Sequence, residues 1–287
     1  MKHSPHGVEA DRSCYPGPGC RKSSPPWRGD AAGMQQQVAW AMGTPGMEES
    51  LLSHESDTQA YYGRLQKARE LSRRAADSAR RNGNKESAAL EQVDTAEWEA
   101  YFGNAAQARQ VANGALALAP GRDVQLSAAR VLATAGDAAQ TQMLVDKLNK
   151  EFPLYTMIQG CWLPTIRAEM ELNRGNAAKA IKLLQATSPY ELGGRLYPAY
   201  VRGLAYLRLR QGGAAITEFQ RILDHCGLMG NSPLGALAHL QLGKAYAMSG
   251  DTVKARTAYQ DFLALWKDAD PDIRILKEAK AEYAKLQ

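Results

Sequence analysis

Few residues in this chain stand at the spacings that chemistry needs. Gly121-Arg122-Asp123-Val124 has the outline of a phosphotransfer loop, in which an Asp takes the proton of an attacking hydroxyl. Such a loop also needs a metal-holding Asn about a turn later, and Ala128 stands in that place. A glycine-rich phosphate loop, a strand-borne Lys and an Asp-Phe-Gly are missing as well. The stretch therefore reads as a helix-start turn with Asp123 as its N-cap. His225 and Cys226 are adjacent, so on a helix they point apart and make poor co-ligands. Glu97 and Glu99 diverge for the same reason, and no two histidines fall at i, i+4. His239 reads as a packed histidine. No catalytic, metal or cofactor site is expected.

Binding is what remains. Lys67, Arg74 and Arg81 recur every seven residues with Arg73 and Arg80 beside them, but Glu70 and Asp77 interrupt the stripe, which reads as a solvated outer face. The net charge of +5 over 287 residues is mild and demands neither nucleic acid nor an anionic membrane. The four cysteines match no zinc or redox spacing, which suits reducing conditions or indifference to redox. No stretch approaches the roughly 20 apolar residues of a membrane span, and the N-terminus lacks the apolar core of a secretory signal. The expected location is cytoplasmic.

The elements that position any binding surface come from a recurring phrase. A turn residue is followed five places on by a small residue that opens a helix: Gly63 with Ala68, Gly103 with Ala108, Gly136 with Thr141, Gly175 with Ala180 and Gly250 with Ala255. A degenerate copy joins Arg210 to Ala215, its glycines arriving late at 212 and 213. The intervals are 40, 33, 39, 35 and 40 residues, the period of stacked helical hairpins. Gly-Asn and Gly-Asp at the turns suit a left-handed C-cap followed by an N-capping side chain. Helices are expected over residues 35–42, 47–62 and 65–81, then in pairs, with no strand. Residues 1–33 hold five prolines, five glycines and four serines without apolar period and read as a disordered tail. Residues 34–287 read as one all-α, right-handed superhelical solenoid of about six hairpins. A capping helix at 271–287 closes the chain, with Ile273, Leu276, Ala279 and Tyr283 as its apolar stripe.

Leu242-Gly243-x-x-Tyr246 with Ala255 and Tyr259, and Gly203-x-x-Tyr206 with Ala215 and Phe219, resemble the tetratricopeptide repeat. Over about residues 34–287 the chain is similar, more narrowly, to the C-terminal repeat region of bacterial serine/threonine protein kinases. Ser56-Asp57-Thr58-Gln59-Ala60-Tyr61-Tyr62-Gly63-Arg64, Leu196-Tyr197-Pro198-Ala199-Tyr200-Val201-Arg202-Gly203 and Trp266-Lys267-Asp268-Ala269-Asp270-Pro271 carry that likeness. Related repeats also follow winged-helix regulator domains. The resemblance implies a truncated member lacking the kinase half, which binds protein or peptide without chemistry. It implies an extracytoplasmic location if the repeats follow a membrane-spanning kinase.

In tetratricopeptide arrays the first helix of each pair lines the concave side. Carried over, this places Tyr197, Tyr200, Leu204, Leu207, Arg208, Lys244 and Met248 there, with Trp162 and Glu169 further along. The carboxylate-clamp subtype needs an Asn in successive repeats. Glu97, Arg130, Glu169, Leu204 and Lys244 take that place, so no clamp is expected. RNA-binding hairpin repeats are a rival class, disfavoured by the Gly-x-x-Tyr pattern and the low charge. A closed helical toroid with hydrolytic carboxylates is another, disfavoured because the capping helix implies an open end.

Overall fold

The repeated phrase turns the chain as its residue types require. In a computed structural model that describes residues 39–40, 42–44 and 46–287, Gly63, Gly103, Gly136, Gly175 and Gly250 all take positive φ at the bends. In the degenerate copy the left-handed residue is Arg210 (φ 56°), the position in register with those glycines. Its late Gly212 serves a different need, since a Cβ there would lie 2.9 Å from the carbonyl oxygen of Ala245. The residue five places on is fully buried in every copy, from Ala68 to Ala255, with Thr141 in the third. Asn84, Asp137 and Asp251 cap the next helix through the side chain. Asn104 and Asn176 do not. Their amides donate instead to Glu99 (2.7 Å) and Glu171 (2.8 Å).

Six hairpins result, and no strand occurs among the described residues. They are α1 (Met47–Tyr61) with α2 (Leu65–Arg81), α3 (Lys85–Tyr101) with α4 (Ala105–Leu118), and α5 (Arg122–Thr134) with α6 (Ala138–Glu151). Then come α7 (Leu163–Asn173) with α8 (Ala177–Leu184) and α9 (Tyr197–Arg208) with α10 (Gly212–Asp224). After a short α11 (Cys226–Met229), α12 (Pro233–Met248) pairs with α13 (Thr252–Leu265), and α14 (Arg274–Ala284) caps the row. The array is a right-handed superhelix. The first helices of the pairs form its inner wall, each touching the next. Gly203 and Gly243 sit where helices cross: a Cβ would meet the rings of Phe219 and Tyr259 at under 3 Å. Asp123 is not the N-cap foreseen. Gly121 holds that position, and Asp123 lies in the first turn, paired with Arg122 at 2.7 Å.

The open end does not materialise. α12 touches α1 and α3, so the inner helices run round and meet. The Trp266 indole N–H donates to Tyr61 O at 2.9 Å, and its ring packs edge-on to Phe102, 5.1 Å between centroids. Gly63 lies flat against that indole, with no room for a Cβ. The Asp270 amide donates to Gly63 O (3.0 Å), its carboxylate accepts from the Gln66 amide (2.7 Å), and Asp268 pairs with Arg64 (3.1 Å). Asp270-Pro271 is thereby spent on the seam. The capping helix begins at Arg274, and Ile273, Leu276 and Ala279 are buried as its stripe required. The tail at 1–33 and most of the expected helix at 35–42 lie outside the described residues.

Candidate functional site

The inner wall lines a partly open cavity of ≈ 90 Å³. α1 contributes Asp57, α3 contributes Asp94, Glu97 and Trp98, and α5 contributes Arg130. Trp162 reaches it from the start of α7. Residues Ile158–Trp162 there form a π-turn in which the Leu163 amide reaches back to Ile158 O. Pro164 has no N–H with which to continue the ordinary ladder, which accounts for the wide turn. Tyr197 opens α9, and Arg195 comes from the segment leading into it, where Arg195 and Leu196 are consecutive left-handed residues (φ 50° and 58°). Backbone strain of that kind must be held by its surroundings. Arg195 donates to the carbonyls of Leu228 (3.2 Å) and Met229 (2.9 Å), which fix it.

One part of the wall is balanced. Arg130 pairs with Glu97 and lies over the rings of Tyr197 (4.5 Å) and Trp162 (5.2 Å). Glu169 accepts from the Tyr197 hydroxyl and from Thr134 (2.7 Å), and burial raises its carboxyl pKa despite those bonds. Burial raises the Tyr197 hydroxyl well above its usual range, with the Glu169 charge adding.

The other part is not balanced. Asp57 and Asp94 make no hydrogen bond or ion pair among the described residues, yet both face the cavity. Burial raises both carboxyls well above the carboxylate range. For Asp57 the charges of Glu91 and Glu97 add to it and that of Arg195 opposes it; for Asp94 the charges of Asp57 and Glu97 add and those of Arg130 and Arg195 oppose. One turn before Asp94, Glu91 is buried, with Oε2 unpartnered and a carboxyl pushed up to about 8 by burial and by Asp94.

The residues expected on the concave side fall into three groups. Trp162 and Tyr197 line the cavity, and Glu169 stands behind Tyr197. Tyr200 is buried between helices, edge-on to Phe219. Leu204 and Leu207 are half-buried and Arg208 exposed on the last turns of α9, with Met248 half-buried near the end of α12. Lys244 reaches the capping helix, 3.5 Å from Glu282. Sequence reasoning missed Asp57, Asp94 and Arg195. The signal for Asp57 was present: the inner-wall register through Lys244, Leu204, Glu169, Arg130 and Glu97 follows the turn intervals, and one more step of 40 residues lands on Asp57.

No family model matches the sequence, and no curated protein does. Among solved structures, a tetratricopeptide repeat protein from Parabacteroides merdae superposes with a TM-score of 0.51 at 13% identity, over 86% of this chain and 89% of that one. Yeast Tom70 superposes with a TM-score of 0.48 at 12% identity, over 89% of this chain and 57% of its own. With the hairpins, the buried small residues and the right-handed stacking, the fold of this chain is that of a tetratricopeptide repeat array.

Proposed function

We propose that this protein is a non-catalytic scaffold that binds a protein or peptide through the inner side of its repeat array. The observation that carries the reading is the inner wall itself. Four helices, with the π-turn at Trp162 and the segment holding Arg195, direct aromatic and charged side chains into one cavity, and we assign Leu204, Leu207, Arg208 and Met248, half-buried or exposed on the last turns of α9 and α12, to its rim. Tyr, Trp, Arg and Met are types enriched where proteins meet. A cavity of ≈ 90 Å³ has no room for a helix roughly 10 Å across, so a partner rests on the rim and inserts at most a side chain. The surplus of carboxylates repels a phosphate backbone, which supports protein over RNA. The quoted likeness to kinase repeat regions supports a role as the regulatory or sensory arm of a bacterial serine/threonine kinase, in preference to a winged-helix regulator. No helix among the described residues is long and apolar enough to cross a membrane.

Affinity capture from a bacterial lysate tests the reading, with Arg208→Glu and Met248→Glu as rim variants. Both positions are outside the core, so folding survives and the captured set shrinks. An unchanged set would contradict the assignment of this rim.

A further inference from the structure

We propose that the central cavity is a binding site for an organic cation, the ammonium or guanidinium end of a basic side chain or small amine, held between Asp57, Asp94 and the aromatic walls. The cavity offers two unpaired carboxylates, on neighbouring inner helices, and both keep part of their surface in contact with solvent. The nearby cations, Arg130 and Arg195, act on them through space only and form no ion pair or hydrogen bond with either among the described residues. Arg130 is already paired with Glu97, and Arg195 is spent on the two carbonyls of the α11 segment. The wall is therefore short of positive charge on the side of α1 and α3.

Around this deficit stand Trp98, Trp162 and Tyr197. Aromatic faces attract cations most when water is excluded, and Arg130 lying over Trp162 and Tyr197 shows these rings already serving a guanidinium. Size fits as well. The cavity takes the end of one side chain, and a flexible alkyl stem passes where a helix cannot. An anion would meet uncompensated carboxylates, and a neutral apolar group would leave them buried without a partner. The metal reading is weaker, because no cluster of three or more His, Cys, Asp or Glu among the described residues is arranged to hold an ion. Arrival of a cation offsets the burial that raises the Asp57 and Asp94 carboxyls and restores their charged form.

This inference deepens the scaffold reading, and its test is separable from it. Isothermal titration of the full chain uses three probes: acetyl-Gly-Lys-Gly-amide, the same peptide with norleucine for Lys, and n-butylammonium. The lysine peptide binds saturably and at least tenfold more tightly than the norleucine peptide. Asp57→Asn and Asp94→Asn each weaken it at least tenfold. Saturating n-butylammonium raises the thermal midpoint of the wild-type chain but not of the double variant, a readout that does not depend on the peptide. A lysine peptide much tighter than n-butylammonium identifies a protein ligand, and equal affinities identify a free amine; both support the cation site. Equal binding of lysine and norleucine peptides, or full affinity in the double variant, overturns it. If cations fail while rim variants still lose their captured partner, only this inference falls. If cations bind while capture ignores the rim, the scaffold reading falls and the site stands.

Discussion

Two sets of buried carboxylates in this protein have opposite fates. Glu191, in the segment between α8 and α9, is 1% exposed and is met by Arg202 at 2.7 Å, Arg221 at 2.5 Å and the Thr187 hydroxyl at 3.2 Å. Arg202 is in turn held by Glu218 at 2.8 Å. Burial alone would raise the Glu191 carboxyl, but the bond and charge of Arg202, with those of Arg221, outweigh it and hold it below its ordinary value. At Asp57 and Asp94 no arginine among the described residues forms a hydrogen bond; the charges of Arg195, and for Asp94 of Arg130 as well, oppose burial without outweighing it, and the carboxyls go up. Each charge at Glu191 is spent on joining that segment to α9 and α10. In the cavity, charge is left over. Residual imbalance at an accessible place is what a binding site looks like before its ligand arrives.

The largest test of this contrast is Glu191→Ala. It removes the carboxylate shared by Arg202 and Arg221, leaving Glu218 to hold Arg202 alone, and costs about 3 kcal/mol of unfolding free energy, read by urea denaturation. A loss below about 1 kcal/mol would show that the network is not structural. A smaller effect of opposite sign is expected from Glu91→Gln, one turn from Asp94. The Glu91 carboxyl has an ordinary pKa of 4.5 and about 8 in the fold, so the folded chain holds a proton there that the unfolded chain releases. That stability is fully present below pH 4.5 and fades as pH rises through 8. The variant should therefore match the wild type near pH 5 and exceed it near pH 8 by about 2 kcal/mol, the full shift being softened by relaxation around the charged carboxylate. Glu191 contributes with the reverse sign, its stability fading as pH falls through its lowered value. Parallel stability profiles for Glu91→Gln and the wild type would remove the contrast.

What the sequence disclosed follows from the range of each interaction. The α2 bounds, the left-handed turns and the buried small residues depend on neighbours within one hairpin, so periodicity and turn chemistry reveal them. Asp270-Pro271 carried a true local signal that a distant demand overrode: Gly63 and Gln66 claim Asp270 for the seam, and the helix starts later. Closure itself is the sum of small rotations between successive pairs, and no single repeat encodes it. Trp266 and Phe102, far apart in the chain, record it only once they are in contact. The cavity carboxylates stayed hidden for the same reason, since on an open row Asp57 and Asp94 would be ordinary solvated acids.

Closure is thus the claim on which the cavity, its carboxylates and the proposed cation site depend. The most direct measurement is hydrogen exchange of the Trp266 indole N–H by nuclear magnetic resonance, assigned with Trp266→Phe. That proton is donated to Tyr61 O across the seam. The closed array predicts exchange slowed by orders of magnitude relative to a free indole, to the rate set by opening of the seam. Exchange at the free-indole rate would mean an open row, with no such site.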